Sequence, residues 1–198
     1  MTLRNIIHVT AAVLVLLTTS FTASATILQT ETFKGHTYHL LDSSFWNAAE
    51  AEALTLGGHL VTINDAVENA FVLSTFTNTA VAHAPPSSKI SLWIGLSDAQ
   101  TEGTFIWSSG APVLFTNWAP IQPEGNVADE DYAGIFANWE YFGGTIGQWH
   151  DIVSDNRFGD VPYGVVEVVP EPTSAVLLLS GLAFCLRSRT LRTQKRNG

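Results

Sequence analysis

Cysteine is nearly absent from this 198-residue chain: its one thiol, Cys185, sits in an apolar run near the C-terminus. The body ahead of it therefore has no disulfide, no thiolate metal centre and no cysteine nucleophile. Basic residues are scarce as well. Between Thr26 and Pro172 all 18 acidic residues stand against only Lys34, Lys89 and Arg157, a net charge of −15 for that stretch. So acidic a surface repels phosphate backbones and excludes nucleic acid as a partner, while remaining compatible with divalent cations. Enzyme signatures are missing too. No nucleophile-elbow, zinc-helix or phosphate-loop pattern occurs, and neither Ser87-Ser88 nor Ser108-Ser109 has a nearby His–acid arrangement. A non-catalytic protein is expected. Apolar residues are plentiful: 46% of the chain is hydrophobic, with eleven Phe and six Trp, enough for one packed domain.

The two ends carry addresses. Arg4, an apolar run from about Ile6 to Leu17 and the small residues Ala23-Ser24-Ala25 form a secretory signal peptide over 1–25, cut by signal peptidase after Ala25. The run is too short to span a bilayer. At the other end Val169-Pro170-Glu171-Pro172 closes the folded pattern, and an apolar run from about Ala175 to Leu186 follows. Arg187, Arg189, Arg192, Lys195 and Arg196 then cluster at the terminus, as in a segment held briefly on the cytoplasmic side of a membrane. Residues 170–198 resemble the PEP-CTERM sorting signal of Gram-negative bacteria. The resemblance implies recognition by an exosortase, removal of the tail and delivery to the cell surface or extracellular matrix. An ordinary short membrane anchor is the alternative.

Between the ends, Thr26 to Leu41 reads as extended, with Phe33, Tyr38 and Leu40 inward and a turn at Gly35-His36. His36 and His39 lack a third ligand nearby and read as strand histidines. Asp42-Ser43-Ser44 offers cap oxygens to a helix marked by Phe45, Trp46, Ala49, Ala53 and Leu56 and ended by Gly57-Gly58. His59 to Ile63 predicts a short buried strand. Asn64-Asp65 predicts the cap of a second helix, with Val67, Ala70, Phe71 and Phe76 inward and Glu68 outward. Thr77 to Ser88, with Pro85-Pro86, reads as a loop.

Trp93-Ile94-Gly95-Leu96 follows that preamble, and Asn117-Trp118 and Trp149 flank a long polar loop. On these residues the chain resembles C-type lectin-like domains. The resemblance covers roughly Thr30 to Val168 and implies an α+β domain over 26–169. Two helices would pack on small antiparallel sheets, with a long ligand-binding loop. The family usually has two disulfides; here Tyr132 stands where one cysteine would, and Val166 where its partner would. Apolar packing around Trp93, Trp107, Trp118 and Trp149 is expected to compensate.

In sugar-binding members a Glu-Pro-Asn or Gln-Pro-Asp triplet with a cis proline bond, a second carboxylate eight residues on, and an Asn-Asp pair after Trp hold calcium. This chain reads Gln122-Pro123-Glu124, Glu130 and Trp149-His150-Asp151. The resemblance thus implies a Ca2+ site of Gln122, Glu124, Glu130 and Asp151, with His150 joining them in carbohydrate binding. Glu124 is longer than the usual residue, and His150 replaces an oxygen donor with imidazole. His150 would donate or accept according to its protonation. No ring lies between Gly125 and Asp129 to stack on a sugar; Trp139 and Tyr141 are the candidates beyond it. Asp131, Asp155, Arg157 and Asp160 are expected to cap, pair or face solvent. Two functions remain open: a calcium-dependent lectin for glycan or exopolysaccharide, and a calcium-independent structural or adhesive matrix protein on the same fold.

Overall fold

Lys34 and Gly35, both at positive φ, turn the chain between its first two strands, β1 (Ile27–Phe33) and β2 (His36–Ser43). The structure, a computed structural model, describes residues 26–124, 129–141, 143–153 and 159–170. The expected signal peptide, the tail from Glu171, the loop residues 125–128, and Asp155 and Arg157 lie outside the described residues. After β2 come α1 (Trp46–Thr55), β3 (His59–Leu60), α2 (Ala66–His83), β4 (Lys89–Ser97) and β5 (Ile106–Trp107). The chain closes with β6 (Tyr132–Phe136), β7 (Trp149–Ile152) and β8 (Asp160–Val168).

These strands form one continuous sheet in the order β1-β2-β8-β4-β6-β7, with β3 on β8 and β5 on β4. Most pairs are antiparallel, but β4 and β8 run parallel, from Lys89↔Asp160 to Trp93↔Gly164. A parallel pair needs a long return path, and the chain between Ser97 and Asp160 supplies one. The expected two helices on antiparallel strands are present, the strands being continuous in one antiparallel-rich sheet with a single parallel pair among the described residues.

The helices differ from expectation at their edges. Phe45, not the Asp42-Ser43-Ser44 oxygens, occupies the N-cap of α1, with no side-chain cap. Asp42 and Ser43 are spent in β2, where Ser43 pairs with Tyr163 of β8. In α2 the cap is Asp65, whose side chain accepts the Glu68 N–H, and Phe71 and Phe76 pack on the core as expected, but the first turn differs. Val67 and Ala70 are exposed and Glu68 is buried. The reason is local: Glu68 Oε1 accepts Tyr38 Oη–H at 2.6 Å, and Oε2 accepts the Asn64 backbone N–H at 2.8 Å. Burial is tolerable because these donors replace water. The helix also continues through Thr77 to His83, where a loop was expected, because Phe76 and Ala80 bury one turn apart. Pro85-Pro86 then ends it. The predicted strand at His59 to Ile63 shrinks to His59–Leu60, although Val61 and Ile63 are buried as expected.

Two apolar clusters hold the domain. The larger gathers Phe76, Ile90, Leu92, Ile94, Trp107 and Trp149. The smaller joins Tyr132 and Val166, the two positions where cysteines were looked for, with Trp46, Ala53 and Trp93. The Tyr132 ring lies 4.8 Å from Trp46 and 6.5 Å from Trp93. Trp149 is met edge-to-face by Trp107, Phe115 and Trp118 at 5.9, 5.7 and 5.8 Å. Each such pair contributes about 0.5–1.5 kcal/mol beyond area burial, so three approach what one bridge would supply. Gly95 explains its own place in the Trp93–Leu96 segment: a Cβ there would meet the Leu60 carbonyl oxygen at 2.4 Å.

Candidate functional site

The site begins with the anchoring of Trp149. Its indole N–H donates to Asn69 Oδ1 at 2.7 Å, its backbone N–H to Asn117 O at 2.8 Å, and its carbonyl accepts Ala119 N–H. The loop before β6 is thereby strapped to β7 at the point where the polar residues gather. The Gln122–Pro123 peptide bond is cis, as the resemblance implies. Gln122 Oε1 accepts the Asp151 backbone N–H at 2.9 Å, and its Nε2 donates to Glu124 Oε1 at 3.0 Å. The Glu124 backbone N–H in turn donates to Asp151 Oδ2 at 2.9 Å. Gln122, Glu124 and Asp151 thus form one closed hydrogen-bonded set.

A cavity of about 270 Å³ is lined by all five residues singled out from sequence, Gln122, Glu124, Glu130, His150 and Asp151. Trp139 and Tyr141 line the same cavity, with Lys89 and Asp160. Trp139 and Tyr141 lie 6.1 Å apart, and Lys89 Nζ sits 4.8 Å from the Trp139 ring centre. Rings missing from the loop sequence therefore arrive from beyond it.

His150 has little freedom. It is buried, stacked on Phe136 at 4.0 Å and met edge-on by Trp139 at 5.4 Å. Burial holds its pKa down at about 3, so the imidazole is neutral at ordinary pH. Protonation does not switch it between donor and acceptor, contrary to expectation. Its Nε2 lies 3.0 Å from Ser91 Oγ, which also donates to Asp160 Oδ2 at 3.2 Å. Asp160, expected to cap, pair or face solvent, pairs with Ser91 in a buried setting, and its carboxyl is pushed up by that burial. Although Ser, His and Asp meet here, the hydroxyl sits between the other two, and Ser91 is wholly buried. That arrangement lacks the imidazole–carboxylate contact and the accessible oxygen of a nucleophilic triad.

Acidic groups crowd the cavity. Burial raises Asp151 to about 6, and the charges of Glu124 and Asp98 push it the same way against its backbone donors. Asp131 is raised by burial, then by Asp98 and Asp129. Asp98 is the residue sequence reasoning missed. It follows β4 directly, is buried, and its Oδ1 has no hydrogen-bond partner, while Oδ2 accepts Gly103 N–H at 2.8 Å. Its position two residues past Leu96, facing the backbone of Asp131, is a tertiary fact with no local signal. Donor chemistry in the cavity suits a hard cation, since Glu124, Glu130 and Asp151 bring carboxylate oxygens and Gln122 an amide oxygen. Even so, no three His, Cys, Asp or Glu side chains among the described residues are gathered tightly enough to enclose a metal ion.

The family model described as Lectin C-type domain matches residues 42–157, more than half of the chain and all of the cavity lining except Asp160. The chain belongs to the C-type lectin domain family. Among curated relatives, this C-type lectin domain is similar to an alpha-N-acetylgalactosamine-specific lectin of Patiria pectinifera, 36% identical over 104 residues. That alignment takes in 52% of this chain and 51% of the relative, so the chain spans about half that relative's length. Lectin BRA-3 of Megabalanus rosa is 32% identical over 127 residues, 63% of this chain and 68% of that one. Among solved structures, the C-type lectin CEL-I of Cucumaria echinata is 28% identical with a TM-score of 0.55, covering 72% of this chain and 96% of that chain. A calcium-independent type II antifreeze protein, 18% identical with a TM-score of 0.54 over 70% of this chain and 89% of that one, shares the fold. The family match ends at 157, before β8, yet β8 is the strand that joins β2 to β4.

Proposed function

We propose that this C-type lectin domain is an exported, non-catalytic module that binds glycan or exopolysaccharide in the cavity beside β7. One observation carries the reading: Gln122, Glu124, Glu130, His150 and Asp151 share that cavity with Trp139 and Tyr141. Such a set offers a sugar ring both kinds of contact it needs. Trp139 and Tyr141 cover the C–H face, while Glu124 and Glu130 accept hydroxyl protons and neutral His150 adds a further hydrogen-bonding group. Gln122 holds Glu124 in place through its amide. Lectins among the relatives and CEL-I among the solved structures support the same class.

Gln122, Glu124, Glu130 and Asp151 are the residues that would hold Ca2+. When bound, the ion supplies a Lewis-acidic centre for sugar hydroxyls and neutralises the crowded carboxylates. The expected signal peptide and the tail resembling PEP-CTERM support a mature domain at the cell surface or in the extracellular matrix, with signal peptidase and exosortase as processing partners. Membrane contact is transient and confined to the tail. No helix among the described residues is long and apolar enough to cross a membrane.

A second reading, a calcium-independent matrix or adhesive protein, is favoured by the closed set in which Gln122, Glu124 and Asp151 already satisfy one another. A glycan array with thermal melts, in calcium and then in chelator, separates the two. Calcium-dependent binding requires a higher melting temperature with calcium and loss of the glycan signal on chelation. Glycan signal that survives chelation keeps the cavity and removes the ion; a blank array with an unchanged melt supports the matrix reading.

A further inference from the structure

A second cavity, sharing no lining residue with the first, lies where the start of α1 meets β5 and the start of β6. It measures about 330 Å³ and is walled by Trp46, Asn47, Gln100, Ile106, Ser108 and Tyr132, with Ser97 and Ala99 completing it. Its relation to the first cavity is fixed by the sheet: Tyr132 pairs with Ile152, which lines the other cavity, and Glu130 precedes it by two residues. Tyr132 is also the residue standing where the resemblance places a cysteine, so the position freed of a bridge carries a ring instead.

We propose that this cavity is a second saccharide site, taking one uncharged pyranose ring. The class of ligand follows from the walls. Apart from the Tyr132 phenol, no ionisable side chain lines the cavity, so neither a cation nor an anion would find a counter-charge there. Amides and hydroxyls both donate and accept, which suits sugar hydroxyls, themselves both donors and acceptors. Asn47 and Gln100 are exposed, and the Asn47 amide is held on the cavity wall by its hydrogen bond to Tyr132 Oη at 3.2 Å. Trp46 and Tyr132, their ring centres 4.8 Å apart at 32°, line the cavity with partly exposed Ile106 and give it an apolar side for a C–H face. A volume near the bottom of the roughly 300–1,000 Å³ range of ligand pockets fits one ring rather than a chain. The site shares the carbohydrate class of the proposed function but none of its residues.

The test uses the full chain and its Glu124→Ala variant, with methyl hexopyranosides of gluco, galacto and manno configuration as probes. NMR reads the side-chain amides of Asn47 and Gln100 and the indole of Trp46 against the indole of Trp139. The expected result is a saturable shift of the Asn47, Gln100 and Trp46 signals in both proteins, since Glu124 lies in the other cavity. Asn47→Ala and Gln100→Ala, both at exposed positions, should each weaken that response by up to about tenfold. If only Trp139 responds, the second site is refuted while the first stands. Shifts that persist at full strength in both alanine variants also refute it, and silence of every signal refutes the two sites together.

Discussion

Asp151 offers the sharpest test of the charge balance in the site. Its carboxyl is 5% exposed and raised from 3.8 to about 6, chiefly by burial, with Glu124 and Asp98 adding repulsion. A raised acid binds its proton more tightly in the folded state. The stability it contributes is therefore fully present below about pH 4 and lost as pH climbs through 6. A shift of about two pKa units corresponds to roughly 3 kcal/mol between those limits. For a domain of this size that is on the order of 10 °C in melting temperature. The measurement is chemical or thermal denaturation in chelator between pH 4 and 7.5, for wild type and for Asp151→Asn, the neutral isostere. Asp151→Asn should match wild type near pH 4 and melt higher at pH 7.5. Calcium should raise only the wild type at pH 7.5, because the ion replaces the missing counter-charge. Two curves that track each other across the whole range would refute the reasoning: Asp151 would then be either solvated or fully paired.

Two further substitutions probe the frame. Gly95→Ala should cost about 3 kcal/mol, because its Cβ would lie 2.4 Å from Leu60 O; Gly134→Ala, with its nearest neighbours at 3.5 Å, is the control and should cost under about 1 kcal/mol in urea denaturation. Glu68→Ala removes the acceptor of Asn64 N–H and leaves Tyr38 Oη–H only its longer contact to Glu167 at 3.3 Å, and should destabilise by about 2 kcal/mol.

Much of the frame is legible in sequence because it depends on local chemistry. Trp93 to Leu96 needs glycine at one position for steric reasons, and Trp149 announces the strand that closes the loop. The spacing of Gln122, Glu124, Glu130 and Asp151 is legible as well, and the fold gathers these residues on one cavity. Helix faces were less legible. Periodicity placed Val67 inward and Glu68 outward because it weighs side chains by polarity, and it cannot see that Tyr38 and Asn64 wait to satisfy a buried carboxylate.

By itself, then, the sequence determined the α+β frame, the absence of bridges and the identity of the polar residues in the loop. Those features rest on residue type and spacing along one chain. Tertiary structure alone decided three others. It turned His150 inward onto Phe136 and Ser91, brought Trp139 and Tyr141 to a site whose own loop has no ring, and set Asp98 beside Asp131 and near enough to Asp151 to raise it. All three depend on which strands become neighbours in the sheet, and strand neighbours are chosen by packing across long chain separations. For that reason no local pattern carries them.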